Sequence, residues 1–142
     1  MAYKILIMGL PGSGKTTLSI SLSPLIHARI INADVVRVEA NDWDFSPEGR
    51  LRQAKRMVEK SNKVTSNYVI IDMVAALDEQ RKIIDPDFII WLDTIQKGRY
   101  DDTNKAFEKP EIVDLTIYNH PDIDLQAILK LIQNKPYGNQ KI

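Results

Sequence analysis

The stretch Gly9-Leu-Pro-Gly-Ser-Gly-Lys-Thr16 decides the fold of this chain. It follows the apolar run Tyr3–Met8, which is typical of a buried parallel strand. It leads into the segment Lys15–Leu25, whose leucines at helical spacing predict a helix that stops near Pro24. Strand, glycine-rich loop and helix in this order are the context of the phosphate-binding loop G-x-x-x-x-G-K-[ST], or P-loop. The sequence therefore predicts a P-loop nucleotide-binding protein.

Each residue type in this loop has a physical role. Glycines let backbone N–H groups approach the phosphates, and the positive end of the following helix adds to their attraction. Lys15 would contact the β- and γ-phosphates, and the Thr16 hydroxyl would bind Mg²⁺. A glycine-rich turn before an ordinary helix is the competing interpretation, which the order of the elements disfavours. The predicted nucleotide-binding residues are Gly9, Pro11, Gly12, Ser13, Gly14, Lys15, Thr16 and Thr17.

Further apolar runs alternate with helix-like segments along the chain. The predicted strands are Arg29–Asn32, Tyr68–Asp72, Phe88–Asp93 and Val113–Tyr118, and the predicted helices are Pro47–Lys60 with Leu51, Ala54 and Val58 buried, Leu77–Ile84, and Asp122–Ile132 with Ile123, Ala127 and Leu131 buried. This alternation predicts an α/β fold, a three-layer P-loop kinase-type sandwich in which helices cover both faces of a mostly parallel five-stranded sheet. We expect one domain over residues 1–142, with a frayed tail at residues 136–142.

Composition limits the partners. The chain of 142 residues has 19 basic and 19 acidic side chains, so no net charge attracts nucleic acid or a membrane surface. No stretch approaches the roughly 18 to 20 apolar residues of a membrane helix. The sequence has no cysteine, which permits a reducing compartment, and we expect a cytoplasmic protein. The partner predicted here is a small molecule, and the sequence leaves open whether the chain forms a homodimer.

The P-loop class follows from motifs that the chain lacks. A GTPase should carry a D-x-x-G switch and an N-K-x-D guanine clamp, but Asn134-Lys135 is followed by Pro136 and Tyr137. The chain is also short for a helicase or transporter ATPase with its added coupling elements. A small-molecule kinase that uses ATP and Mg²⁺ fits the size best.

Polar residues near the strand ends are candidates for the chemistry. Asp34 follows the second strand, where a carboxylate could accept a proton from the acceptor hydroxyl, or simply cap a helix. Arg37 lies three residues later and could bind an anionic group of the acceptor or form a surface salt bridge. Asp72 ends a Val-Ile-Ile-Asp run, typical of a carboxylate that holds a magnesium-bound water, with a strand-end cap as the alternative.

The segment Thr94–Pro110 is polar and charged and shows no apolar period. So long a stretch without regular structure in a small domain indicates a functional lid or a mobile loop. Arg99 lies in this segment and is our candidate for clamping the transferring phosphoryl group, although a solvated loop explains it equally well.

Several motifs together resemble the adenylylsulfate kinase (APS kinase) family, which phosphorylates the ribose 3′-hydroxyl of adenylylsulfate with MgATP. The P-loop resembles the family's G-L-S-G-x-G-K-S-T. The segments Asn32-Ala-Asp-Val-Val-Arg37, Asp42-Trp-Asp-Phe-Ser-Pro-Glu-Gly-Arg50, Gln53-Ala-Lys-Arg56, Leu92-Asp-Thr94 and Lys105-Ala-Phe107 are similar to D-G-D-x-V-R, D-L-G-F-S-x-x-D-R, N-I-R-R, V-D-T and K-x-F. The chain resembles a shortened member of this family over most of its length.

The resemblance implies an acceptor site. Asp34, Arg37, Phe45, Arg50, Gln53, Lys105 and Phe107 fall at positions that it assigns to acceptor binding, with Phe45 and the lid residue Phe107 on the two faces of the acceptor adenine. The chain departs from the family in the lid, which lacks a basic stretch, and at single positions: Asn32 replaces an aspartate, Ala33 a glycine, Gln53 an asparagine and Asp72 a serine. Two alternatives stay open, namely a kinase for another acceptor (nucleoside, nucleotide or sugar) and a non-catalytic nucleotide-binding module.

Overall fold

A computed structural model describes residues 1–137, so most of the tail predicted at residues 136–142 lies outside the described residues. The strands are β1 (Tyr3–Met8), β2 (Arg29–Asn32), β3 (Tyr68–Asp72), β4 (Phe88–Leu92) and β5 (Leu115–Ile117). The helices are α1 (Lys15–Ile26), α2 (Ala33–Ala40), α3 (Pro47–Asn62), α4 (Asp78–Ile84), α5 (Asp101–Ala106) and α6 (Leu125–Gln133), with one 3₁₀ turn at His120–Asp122.

The five strands form one sheet in the order β2-β3-β1-β4-β5, and every neighbouring pair is parallel. Strand β1 lies at the centre and is buried along its whole length, which explains its nearly continuous apolar sequence. The predicted fold class, a parallel five-stranded sheet between two helical layers, is confirmed.

Two apolar clusters hold the helices against the sheet. Ile5 and Ile7 of β1 face one cluster, which includes Leu18 of α1 and Ile128 of α6. Residues at alternating positions of β1 face the other cluster, which includes Ala54 of α3. Because side chains alternate along a strand, β1 contributes to both layers. The carboxyl ends of the strands are left at one edge, where the site is built.

Helix α1 extends beyond Pro24, near which it was predicted to end. Pro24 lies inside its last turn, and the helix ends at Ile26 because His27 takes a left-handed conformation (φ 51°) as the C-cap. Proline has no N–H to donate, so the helix lacks one hydrogen bond at Pro24 but continues for two more residues. Of the leucines whose spacing predicted the helix, Leu18 and Leu22 are buried, whereas Leu25 is 45% exposed.

Two helices lie where the sequence analysis predicted none. Helix α2 follows β2 directly, and α5 occupies part of the segment Thr94–Pro110, so the prediction that this segment lacks regular structure was wrong. Both helices are short, with 8 and 6 residues. Neither offers a long enough apolar period to be recognised from sequence. None of the helices in residues 1–137 is long and apolar enough to cross a bilayer.

Helix α3 starts as predicted, with Ser46 accepting a hydrogen bond from the Gly49 N–H as its N-cap. Its buried face is rotated from the predicted one. Ala54 is fully buried, but Leu51 and Val58 are only partly buried, and Arg50, Gln53 and Met57 point inward instead.

Helix α6 begins later than predicted. Asp124 is its N-cap and accepts hydrogen bonds from the N–H groups of Gln126 and Ala127. The helix therefore buries Ile128 and Ile132, each 2% exposed, whereas Leu131 is 42% exposed. The prediction of a buried face through Ala127 and Leu131 was wrong by one residue. Apolar residues four positions apart occur in both series, Ala127 with Leu131 and Ile128 with Ile132, so the spacing alone does not distinguish the two faces.

This register is testable by alanine substitution. Ile128→Ala should lower the free energy of unfolding by about 2 to 5 kcal/mol, because it leaves a cavity in a packed cluster. Leu131→Ala should cost much less, since its side chain already contacts water. Urea unfolding followed by circular dichroism measures both. Equal losses for the two variants would contradict the register.

Candidate active site

A cleft of about 400 Å³ opens at the carboxyl edge of the sheet. Its walls bring together most of the predicted site residues, which come from segments far apart in the sequence. The predicted residues that line it are Pro11, Gly12, Lys15, Thr16, Asp34, Arg37, Phe45, Arg50, Gln53, Asp72 and Arg99. The predicted residues outside its walls are Gly9, Ser13, Gly14, Thr17, Lys105 and Phe107.

The backbone of the P-loop requires its glycines. Gly9 has φ 154°, and a Cβ there would lie 2.6 Å from the Ser13 hydroxyl and 2.7 Å from the Leu92 carbonyl oxygen. Gly14 has φ 104°, and a Cβ there would overlap the ring of His120. The loop is thus packed between β4 and the turn after β5, in a conformation that side chains would prevent.

The loop is also tied to the segment that follows β4. The Thr94 hydroxyl donates to the Ser13 carbonyl oxygen at 2.8 Å, and the Ser13 N–H donates to the Leu10 carbonyl oxygen at 3.0 Å. Ser13 is fully buried. Its hydroxyl lies against Gly9, so the predicted contact of Ser13 with nucleotide would have to come from its backbone.

Lys15 is the first residue of α1 and is partly buried. Its Nζ donates to the Leu10 carbonyl oxygen at 3.2 Å. Burial lowers the pKa of Lys15 below the ordinary value, while the negative charges of Asp72 and Asp34 act in the opposite direction. The positive charge of Arg99, which lines the same cleft, also lowers this pKa. Lys15 therefore stands among both carboxylates and the predicted clamp.

Asp72, at the end of β3, is 2% exposed and joins two other polar side chains. Its Oδ2 accepts a hydrogen bond from the Thr16 hydroxyl at 2.8 Å and another from Asn32 Nδ2 at 3.0 Å. A hydroxyl and a carboxylate are the oxygen donors that Mg²⁺ prefers, and Mg²⁺ commonly uses few protein ligands and completes its shell with water and phosphate. Thr16 and Asp72 are therefore residues that could help to hold a magnesium ion.

Helix α2 carries Asp34 and Arg37 into the cleft. The N-cap of this helix is Asn32, whose Oδ1 accepts from the Val35 N–H at 3.1 Å, so the alternative that Asp34 caps the helix is wrong. Asp34 is exposed in the first turn and lines the cleft. Its carboxylate is therefore available to a molecule bound there.

Arg37 and Arg50 are each only 5% exposed. Arg37 Nη1 donates to the Asp42 carbonyl oxygen at 2.8 Å, and Arg50 Nε donates to the Phe45 carbonyl oxygen at 2.9 Å. Burial lowers the pKa of both guanidinium groups. These hydrogen bonds go to backbone carbonyl groups, so the surface salt bridge considered for Arg37 does not describe its environment.

Phe45 is 41% exposed and lies beside both buried arginines. The Arg37 Cζ lies 4.2 Å from the centre of its ring and the Arg50 Cζ lies 5.4 Å away, both within the range of cation–π contact. The ring is held in place and still presents surface to the cleft, as a stacking platform requires.

Gln53 lines the cleft but is already hydrogen-bonded at both ends of its amide. Its Nε2 donates to the Ala33 carbonyl oxygen at 2.9 Å, and its Oε1 accepts from Arg56 Nη2 at 2.9 Å. The side chain thus joins α3 to the start of α2. In this structure it supports the wall of the predicted acceptor site.

The predicted lid residues separate into two groups. Arg99 lines the mouth of the cleft together with residues of α5. Lys105 is exposed, and Phe107 stacks on Trp91 with ring centres 6.4 Å apart and lies 5.6 Å from Arg81 Cζ. Phe107 therefore packs on the core and does not face Phe45 across the cleft.

Sequence reasoning missed several residues of the cleft. Trp43 and Tyr100 are, like Phe45, aromatic residues in polar segments, and both are more than half exposed. The others gave no local signal: they lie at the start of α2, in the segment that follows β3, and on α4 and α5. These are Ala33, Met73, Val74, Ala75, Ala76, Gln80, Asp102 and Thr103.

Comparisons with known proteins show the family of the chain. A family model described as adenylylsulphate kinase matches residues 1–87. No curated protein matches the sequence.

Among solved structures, the chain is similar to three small-molecule kinases. The Mycobacterium tuberculosis APS kinase in complex with AMPPNP and APS has a TM-score of 0.73 at 16% identity, with 93% of this chain and 98% of that chain covered. Shikimate kinase from Acinetobacter baumannii in complex with shikimate has a TM-score of 0.63 at 18% identity, with 94% of each chain covered. A gluconokinase from Sinorhizobium meliloti 1021 has a TM-score of 0.58 at 14% identity, with 91% and 88% covered. At these identities the likeness concerns the fold.

Proposed function

The chain belongs to the adenylylsulphate kinase (APS kinase) family, and we propose that it is a phosphotransferase that moves the γ-phosphoryl group of ATP to a small anionic acceptor. The acceptor we propose is adenylylsulfate, phosphorylated at its ribose 3′-hydroxyl. One observation carries the proposal: the P-loop residues Lys15 and Thr16 share one cleft with Asp34 and the buried arginines.

The donor half of the cleft would hold the phosphates of ATP. Gly12 and the N-terminus of α1 offer backbone N–H groups, and Lys15 supplies a positive charge beside the β- and γ-phosphates. The hydrogen bond from Lys15 Nζ to the Leu10 carbonyl oxygen would be exchanged for a stronger bond to a phosphate oxygen. Thr16 and Asp72 would hold Mg²⁺, which neutralises charge on the phosphates when bound.

The acceptor half is formed by α2, the following loop and the start of α3. Asp34 would accept the proton of the acceptor hydroxyl as the new O–P bond forms and the bond between the γ-phosphorus and ADP breaks. Arg37 and Arg50 would bind an anionic group, because each is buried and has N–H groups beyond those bonded to backbone carbonyls. Phe45 would stack on a flat ring.

Arg99 is proposed as the residue that completes the donor half. It lines the mouth of the cleft, and its charge affects the pKa of Lys15. A guanidinium at this place would stabilise negative charge that builds up on the transferring phosphoryl group. Closure of the 94–110 segment over the cleft would bring it nearer and exclude water.

A kinase for another acceptor is the second candidate. Two observations favour it: the amide of Gln53 is bonded to Ala33 and Arg56, and Phe107 packs on Trp91 away from the cleft. Both residues fall at positions that the family resemblance assigns to the acceptor. The similar solved structures include kinases named for shikimate and gluconate. A non-catalytic nucleotide-binding module is the third candidate.

One assay separates the three candidates. The protein is incubated with MgATP and a panel containing adenylylsulfate, nucleosides, nucleotides and sugars, and ADP release is followed with Lys15→Ala as control. Turnover with adenylylsulfate supports the proposed acceptor. Turnover with only a different member of the panel would overturn it, and no acceptor-dependent turnover at all would overturn the kinase function.

Phe45→Ala tests the stacking platform. We expect about a tenfold higher KM for an adenine-bearing acceptor, because stacking on an aromatic ring contributes about 1 to 3 kcal/mol per base. The KM for ATP should be nearly unchanged, since the donor site is separate. Phe45→Tyr keeps a ring and is the matched control. An equal rise in both KM values would mean that Phe45 supports the whole cleft rather than the acceptor.

A further inference from the structure

Asn32 is the last residue of β2 and uses both ends of its side-chain amide. Its Nδ2 donates to Asp72 Oδ2 at 3.0 Å, across the pairing of β2 with β3. Its Oδ1 accepts from the Val35 N–H at 3.1 Å and so caps α2. One side chain therefore connects the end of β3 to the beginning of α2.

The two groups that Asn32 connects belong to opposite halves of the cleft. On one side, the Asp72 oxygen that accepts from Asn32 also accepts a hydrogen bond from the hydroxyl of Thr16 in the P-loop. On the other side, the first turn of α2 carries Asp34. A shift of Asn32 would change the distance between the proposed magnesium ligands and the proposed base.

We propose that Asn32 is a positioning residue that fixes the metal-binding carboxylate of Asp72 and the acceptor-facing helix α2 relative to each other. This inference rests on the proposed function. It assigns Asn32 a role that none of the motifs gave it, because Asn32 is a departure from the D-G-D segment that the family carries.

Asparagine suits this role because it combines a donor and an acceptor at the end of one short side chain. Aspartate could cap α2 but has no N–H for Asp72, and it would place a second negative charge beside the first. Serine could also cap the helix, but its hydroxyl is too short to reach Asp72 at the same time.

The sequence contains a matching change at the other end of the bond. Compared with the family motifs, the chain has an amide in place of an aspartate at Asn32 and a carboxylate in place of a serine at Asp72. These two departures lie directly opposite each other in the β2–β3 register and are hydrogen-bonded. The two changes are complementary: the carboxylate lies on β3, and the residue facing it supplies an N–H.

Two variants separate the hydrogen bond that caps α2 (the cap) from the hydrogen bond between Asn32 and Asp72 (the bridge). Asn32→Ser keeps an N-cap for α2 and removes the donor to Asp72, whereas Asn32→Ala removes both. Asn62→Ser, at an exposed asparagine that ends α3, is the matched control. Amide hydrogen exchange at Val35 in the free protein reports the cap. The ratio of AMPPNP affinity with Mg²⁺ to that in EDTA, measured by calorimetry, reports the bridge.

We expect Asn32→Ser to keep the Val35 amide protected to within about twofold. Its magnesium-dependent gain in AMPPNP affinity should fall about tenfold, as is common when a partner of a metal ligand is removed. Asn32→Ala should show the same fall and, in addition, about fivefold faster exchange at Val35. In both variants kcat should fall more than the KM for the acceptor changes.

An unchanged magnesium effect in Asn32→Ser would overturn the bridge, and unchanged exchange at Val35 in Asn32→Ala would overturn the cap. Neither measurement needs an acceptor or turnover. Failure of the proposed function would appear separately, as a wild-type protein that binds MgAMPPNP and shows this dependence on Asn32 but phosphorylates no acceptor.

Discussion

The Lys15→Ala variant should lose about a hundred- to a thousandfold in kcat with the best acceptor, because it removes the positive charge that stabilises the transferring phosphoryl group. Lys15 is the first residue of α1 and lines the same cleft as Asp72, Asp34 and Arg99. No other lysine is among the residues that line the cleft, so no other ammonium group there can take its place. ADP release under saturating MgATP measures the loss. Lys15→Arg is the matched control: it keeps the charge but, with a larger and planar head group, should recover only part of the rate.

The same residue predicts a pH dependence. Burial lowers the pKa of Lys15, so its ammonium group loses its proton at a lower pH than an exposed lysine. The protonated form is the active one, and kcat/KM should therefore fall on the alkaline side, at a pH below the ordinary value for lysine. The residual activity of Lys15→Ala should lack this fall. A Lys15→Ala variant that retains a tenth of the wild-type kcat would contradict the role of Lys15.

The folded protein should not depend on Lys15 for stability. Because its folded-state pKa is lowered, folding disfavours the charged form, and the ammonium group contributes no stability near neutral pH. Lys15→Ala should therefore melt at the same temperature as the wild type or slightly higher in the absence of nucleotide. A large fall in the melting temperature would mean that the lost activity reflects unfolding, and the charge argument would then fail.

The P-loop and the central sheet could be predicted because their signals are local. Each residue of Gly9–Thr16 has a role defined by its neighbours in sequence, and β1 is apolar throughout because both of its faces are covered. The start of α3 was predictable for the same reason, since Ser46 and Pro47 are adjacent cap residues. In these places the information needed lies within a few residues.

The parts that failed depend on contacts between distant segments. The face of α6 that is buried is decided by how Ile128 and Ile132 pack against β1 and β4, and the apolar residues on its other face give the same periodicity. Phe107 was placed by family resemblance, but the position of Trp91 decides where its ring packs. The hydrogen bond from Asn32 to Asp72 depends on the β2–β3 register, which sequence spacing does not reveal.

Asp34 is the residue whose removal should separate chemistry from binding most clearly. In Asp34→Ala we expect kcat to fall about a hundred- to ten-thousandfold, the usual effect of removing a general base. The KM for ATP should be nearly unchanged, because Asp34 lies on α2 and the phosphates are held by the P-loop and α1. Stability should change little, since Asn32 and not Asp34 caps the helix and the side chain is exposed.

Asp34→Asn is the decisive comparison for this role, because it keeps the size and the hydrogen-bonding reach of the side chain but has almost no basicity. If Asp34 accepts the proton, Asp34→Asn should be nearly as slow as Asp34→Ala, because neither variant has a base at this position. If Asp34 only orients the acceptor hydroxyl, Asp34→Asn should recover most of the rate, and the KM for the acceptor should carry the loss in Asp34→Ala. An unaltered kcat in Asp34→Ala would remove Asp34 from the mechanism and leave the buried arginines of the cleft to act on the acceptor without a base.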